Sequence, residues 1–168
     1  MPLRRLIFLS SLVLAVAALS PAAASGAANG TDRPLSGTVT ATTHDNLSTG
    51  MDTADGAFLF THLGKGTFHE YTTSSTQTGN TFTYTATETY VAANGDKLFA
   101  TVAATGTFTP FQDTTVETIT GGTGRFAGAS GTFTTARVGV IVSVVFVPGV
   151  GVIATDTFTG TAEGQISY

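Results

Sequence analysis

Apolar and polar positions alternate with period two along most of the chain. Leu35, Gly37, Val39 and Ala41 share one parity, and Ser36, Thr38, Thr40 and Thr42 share the other. Such alternation marks a strand with one face buried. At the other end Phe158, Gly160, Ala162, Gly164, Ile166 and Tyr168 stand opposite Thr157, Thr159, Thr161, Glu163, Gln165 and Ser167. Between these ends, stretches 57–63, 67–73, 81–92, 97–109, 114–120 and 132–147 have the same apolar content and turn-like flanks, which makes about eight strands in all. A final strand with bare edges would template aggregation. Closing the sheet removes the edges, so the expectation is an all-β fold, an antiparallel eight-stranded barrel formed as one domain by residues 34–168.

Two turns test this reading. Asn94-Gly95 separates two long alternating runs and is a strong hairpin signal. A two-residue loop would set Phe82, Tyr84, Ala86, Glu88 and Tyr90 beside Phe99, Thr101, Ala103 and Thr105. A three-residue loop ending with Gly95 in the left-handed conformation would set them beside Leu98, Ala100, Val102 and Ala104. The second is preferred, because it separates apolar from polar on both strands, and a one-residue slip would lose that separation on one of them. The most apolar stretch, Val138 to Ile153, is broken by Pro148, Gly149 and Gly151. It therefore reads as two strands around a turn, projecting past the barrel and suited to association, rather than as a membrane-spanning helix.

The N-terminus has a different character. Arg4 and Arg5 precede an apolar run from Leu6 to Leu19, then Ser20, Pro21 and three alanines. This is the pattern of a secretory signal peptide, residues 1–24, too short to span a bilayer that needs about 20 apolar residues. Residues 25–33 are expected to form a flexible leader, and the mature protein to be secreted. Cleavage would leave five basic and eleven acidic residues, a formal charge of −6. That balance argues against nucleic acid or an anionic membrane as partner. The absence of cysteine excludes disulfides, thiolate metal sites and a cysteine nucleophile. Thirty-four threonines and few strong helix formers argue against a helical bundle.

Gly121-Gly122-Thr123-Gly124-Arg125-Phe126, followed by Gly128 and Gly131, is the most distinctive string. It lacks the Gly-Lys-Ser/Thr ending of a phosphate loop and has no helix after it. It reads instead as a tight connection, with glycines at positive φ and Phe126 plugging a barrel end. The string resembles the Gly-Gly-Ser/Thr-Gly-x-Phe loop of the allene oxide cyclase and dirigent proteins. The closing Phe158-x-Gly160-x-x-x-Gly164-x-Ile166 looks like the last strand of small secreted bacterial proteins grouped with them. The resemblance covers Leu35 to Tyr168. It implies an eight-stranded antiparallel barrel with an apolar cavity, often trimeric in the plant members, working without metal or organic cofactor. The family's cyclases close a fatty-acid epoxide and its dirigents steer phenol coupling. No catalytic carboxylate or arginine of the plant enzymes matches a position here, so the resemblance carries fold and not chemistry.

Candidate chemistry is sparse. Glu88, lying on an apolar face between Tyr84 and Tyr90, would have a raised pKa if buried and could then act as acid or base. A rim or outward position is the commoner fate of such a glutamate. His44, His62 and His69 lack metal-ligand spacing, and no serine sits in a nucleophile elbow. Tyr71, Tyr84 and Tyr90 are candidates to line a pocket. Small inward residues (Ala100, Ala104, Gly106, Gly160, Gly164) would leave room in the lumen for a small apolar or phenolic ligand held by Phe82, Tyr84, Tyr90, Leu98 and Val102. The readings of function are, in order, a secreted ligand-binding barrel, a structural self-associating protein that forms homo-oligomers, and a cofactor-independent isomerase using Glu88.

Overall fold

The computed structural model describes residues 31–168. Residues 1–24, read as a signal, and all but the end of the leader lie outside them, and Arg33 already opens the first strand. Eight strands follow in order: β1 Arg33–Asn46, β2 Met51–Phe60, β3 Gly64–Thr78, β4 Thr81–Ala92, β5 Lys97–Phe108, β6 Phe111–Gly122, β7 Ser130–Val147 and β8 Gly151–Ser167. Each pairs antiparallel with the next, and β8 returns to β1, so the sheet is a closed eight-stranded antiparallel barrel. A single 3₁₀ turn, Gly124–Phe126, is the one helical piece among the described residues.

Parity sets the faces, and the register confirms it strand by strand. Tyr90 pairs with Leu98, Glu88 with Ala100, Ala86 with Val102 and Tyr84 with Ala104. This is the three-residue Asn-Gly hairpin: Gly95 has φ 86°, Ala92 N–H donates to the Asp96 carbonyl at 2.9 Å and Gly95 N–H to the Ala92 carbonyl at 2.8 Å. Phe158, Ala162 and Ile166 point inward and β8 is bonded on both flanks.

One end of the barrel is packed solid. Phe58, Phe60, Phe68, Tyr90 and Phe133 form a cluster with ring centroids 4.9–5.9 Å apart, each such pair adding about 0.5–1.5 kcal/mol beyond burial. Phe126 closes this end, fully buried and edge-on to Tyr168 at 5.1 Å. The glycine loop that carries it is held by Asp96, whose carboxylate accepts from Arg125 N–H at 3.2 Å. Gly124, at φ 56°, lies so close to that carboxylate that a Cβ would collide with it.

The small inward residues do not leave the space expected of them. A Cβ at Gly106 would meet the Phe82 ring, at Gly160 the Arg137 side chain and at Gly164 the Phe133 backbone. Small residues on one strand receive large ones from the next, the usual way a narrow barrel fills its interior. Open volume survives in the lumen at the opposite end. There β7 runs past β6: its pairing with β6 stops at Val138, while its pairing with β8 continues to Val147. The apolar stretch around Pro148 is thus a projecting hairpin.

Candidate functional site

Seven of the chain's eleven acidic residues face the lumen. Each sits on the parity of its strand's apolar residues: Asp45 follows Val39, Ala41 and Thr43; Glu70 follows Phe68; Glu88 precedes Tyr90; Glu117 lies between Thr115 and Ile119; Asp156 precedes Phe158. Asp52 and Asp113 complete the set at the open end. Against them stands one inward cation, Arg137 on β7.

Arg137 organises the floor. It grips Asp113 through Nε to Oδ1 at 2.7 Å and an NH2 nitrogen to Oδ2 at 2.6 Å, the bidentate geometry that makes arginine–carboxylate pairs strong. The same register places the two residues opposite each other on β6 and β7. Arg137 lies 3.5 Å from Glu70 Oε2, donates to the Tyr84 hydroxyl, and stacks over the Phe158 ring at 4.4 Å. Tyr84 passes a hydrogen bond to Glu70 Oε1 at 3.1 Å. Burial opposes the charge of Arg137, but Tyr84, Glu70 and Asp113 outweigh it and hold the guanidinium protonated.

Asp45, Asp52, Glu70, Glu117 and Asp156 are driven toward the neutral form. Burial, then a hydrogen bond to Asp156 and repulsion from neighbouring acids, pushes Asp45 up to about 9. Burial and Glu70 push Asp52 up to about 7. Burial lifts Asp156 and, against the pull of Arg137, Glu70. Deeper in the lumen burial brings Glu117 to about 7, although Thr115 and Thr135 donate to its Oε1 at 2.5 and 2.8 Å. These are the effects expected of like charges crowded in a medium less polar than water.

Above this floor is a cavity of about 360 Å³, within the ~300–1,000 Å³ range of small-molecule sites. Phe82, Phe108, Phe111 and Phe158 supply its aromatic wall; Asp45, Asp52, Glu70, Asp113, Asp156 and Arg137 its polar one; Ile141 and Val144 of the projecting hairpin extend its mouth. Neutral carboxyls, a tyrosine and a guanidinium in one place can donate hydrogen bonds to a ligand oxygen, accept them from a ligand N–H, and exchange protons.

Glu88 is buried, contrary to the rim or outward position usual for a lone glutamate, and accepts from Tyr90 OH at 2.7 Å. Burial first, then Glu70 and Glu117, hold it well above the ordinary carboxyl range. It does not line the cavity. Of the anticipated ligand contacts, Phe82 and Tyr84 line the cavity, whereas Tyr90, Leu98 and Val102 are packed in the filled lumen. Tyr71 faces outward. Gly121, Gly122, Gly124, Phe126 and Gly128 lie at the opposite, plugged end. His69 pairs with Asp55 at 2.8 Å on the exterior and His44 meets Thr155 at 3.3 Å. Arg137, Glu70, Asp113 and the three aspartates of the cavity were not singled out from sequence, although their parity marked each as inward. No protein-family model matches the chain, and neither a curated protein nor a solved structure does.

Proposed function

We propose that the protein is a small-molecule-binding barrel that takes an aromatic or otherwise apolar ligand into the open end of its lumen. The observation that carries this is the cavity itself: four phenylalanine side chains facing a hydrogen-bonding floor built on Arg137. Side chains fill the rest of the interior, so keeping this end open is a specific feature of the chain. The basic and apolar segment ahead of Ala24 supports export as the protein's address. The glycine-rich loop and the strand order support kinship with the allene oxide cyclase and dirigent barrels. The proposal is for binding, and it assigns no reaction.

The test is extraction of the mature protein, purified from its own host, with organic solvent, together with titration of the emptied protein with the neutral fluorophore N-phenyl-1-naphthylamine. A stoichiometric apolar compound, or saturable fluorophore binding abolished by Ala154→Phe in the cavity wall, supports it. An empty extract with no fluorophore binding refutes it.

Self-association is a second reading, favoured by β7. From Gly139 to Val147 this strand pairs with β8 alone, and Val140, Val142, Val144 and Phe146 are exposed. The free edge carries no ionisable residue from Val138 to Thr155, and so lacks the charges that usually protect such edges. The occupant that fits is a second copy, since antiparallel pairing of one edge with itself satisfies both copies' backbone groups. Sedimentation should show a dimer that Val142→Lys reduces to monomer; a wild-type monomer at high concentration would end this reading.

A further inference from the structure

The cavity has a charge imbalance, and its chemistry narrows the ligand. Arg137 is engaged by Asp113 through two bonds and by Glu70 at 3.5 Å. That leaves Asp45, Asp52 and Asp156 on the β8–β1–β2 wall without a cation. Asp45 and Asp52 are register partners, and Asp156 stands on β8 opposite Thr43, two residues along from Ala154, the β8 partner of Asp45. Asp45 Oδ1 is buried without a hydrogen-bond partner. Farther in, Glu117 Oε2 is equally unpartnered, on a residue only 3% exposed. A buried acceptor left unpaired is costly, so a donor arriving there is strongly favoured.

The aromatic wall is the second, independent observation. Phe82, Phe108, Phe111 and Phe158 line the same cavity as the three aspartates, and a ring face attracts a cation by its quadrupole. Phe158 already does so for Arg137, at 4.4 Å. A bare metal ion fits less well, because no group of three or more carboxyl or imidazole side chains among the described residues has metal-holding geometry.

Resting on the small-molecule reading and narrowing it, we infer that the ligand is an organic cation, an amine with an aromatic or apolar body, whose ammonium sits against Asp45, Asp52 and Asp156 while its body meets the phenylalanine wall. Binding is linked to protons. An incoming ammonium faces Asp45 from β1, Asp52 from β2, Glu70 from β3, Tyr84 and the deeper Glu88 from β4, Asp113 and Glu117 from β6, Arg137 from β7 and Asp156 from β8. It stabilises the ionised form of whichever wall carboxyl it touches, so a proton leaves as the amine enters.

The experiment is calorimetric titration of the mature protein with three probes of one shape: phenethylammonium, 2-phenylethanol and phenylacetate, at about pH 8, in two buffers of different ionisation enthalpy. The ammonium should bind at least about tenfold more tightly than the alcohol and release protons, and the carboxylate should not bind. The double variant Asp45→Asn/Asp156→Asn, with its fold checked by circular dichroism, should bring the ammonium-to-alcohol ratio close to one while the alcohol binds as before. An alcohol that binds as tightly as the ammonium, or a ratio unchanged in the double variant, overturns the cation inference and leaves the cavity reading standing. If none of the probes binds the folded protein, both fall.

Discussion

Glu117→Gln should make the protein less sensitive to alkali. Glu117 is buried, its Oε1 accepts from Thr115 and Thr135, and its Oε2 has no partner. Glutamine keeps the acceptor and removes the ionisation. Burial raises the Glu117 pKa from 4.5 to about 7 in the folded protein. Between those values the native state holds the proton more tightly than the unfolded chain does, so stability falls as pH rises through this window and is constant above it. Each unit is about 1.36 kcal/mol, so the wild type loses on the order of 3 kcal/mol between about pH 4 and pH 8 through this residue. Asp45, Asp52, Glu70, Glu88 and Asp156, which burial also raises, act in the same direction, but they are common to both proteins and largely cancel in the difference. Urea unfolding at several pH values is the assay. The variant should be within about 1 kcal/mol of wild type near pH 4 and more stable by about 2–3 kcal/mol near pH 8. A difference that does not change with pH, or one that grows toward acid, would refute the burial argument.

Arg137→Met should destabilise the protein by about 3–5 kcal/mol at neutral pH, because Asp113 and Glu70 lose their buried counter-charge; denaturant unfolding measures the loss as a lowered midpoint. Phe126→Ala would empty the plug of the closed end and cost about 3–5 kcal/mol, read as a lowered unfolding midpoint with the cavity at the other end still able to bind the fluorophore. Gly164→Ala places a methyl group against the Phe133 backbone and should cost about 1–3 kcal/mol in the same assay, although the substitution is conservative and the strand propensity of Ala is no worse.

Much of the fold was legible because parity is a local property. Phe158, Ala162 and Ile166 are assigned to the inner face by spacing alone, and the Asn94-Gly95 register follows from asking which loop length keeps Leu98 and Val102 beside Tyr84 and Tyr90. Glu70, Glu117, Arg137 and Asp156 also share parity with a phenylalanine, isoleucine or alanine of their own strands, and all four are buried. Parity alone does not single them out, because a charged residue on an apolar parity is usually explained by a bulge or a rim position. Glu88 stands out in the sequence because tyrosines flank it. The bulges that do occur, near Thr73, Phe99 and Val142, leave all seven acids facing inward.

Sequence by itself determined the strands, their two faces, the hairpin register and the break at Pro148, because a pleated chain turns successive side chains to opposite sides whatever surrounds it. Which side chains then meet is decided by the stagger of strands around the closed sheet, and no single strand contains that information. Stagger laid Phe82 over Gly106 and Phe133 over Gly164, filling space that small residues had promised to a ligand. It also gathered aspartates from β1, β2 and β8 opposite a wall of phenylalanines, and placed Arg137 against Asp113 and Glu70 instead.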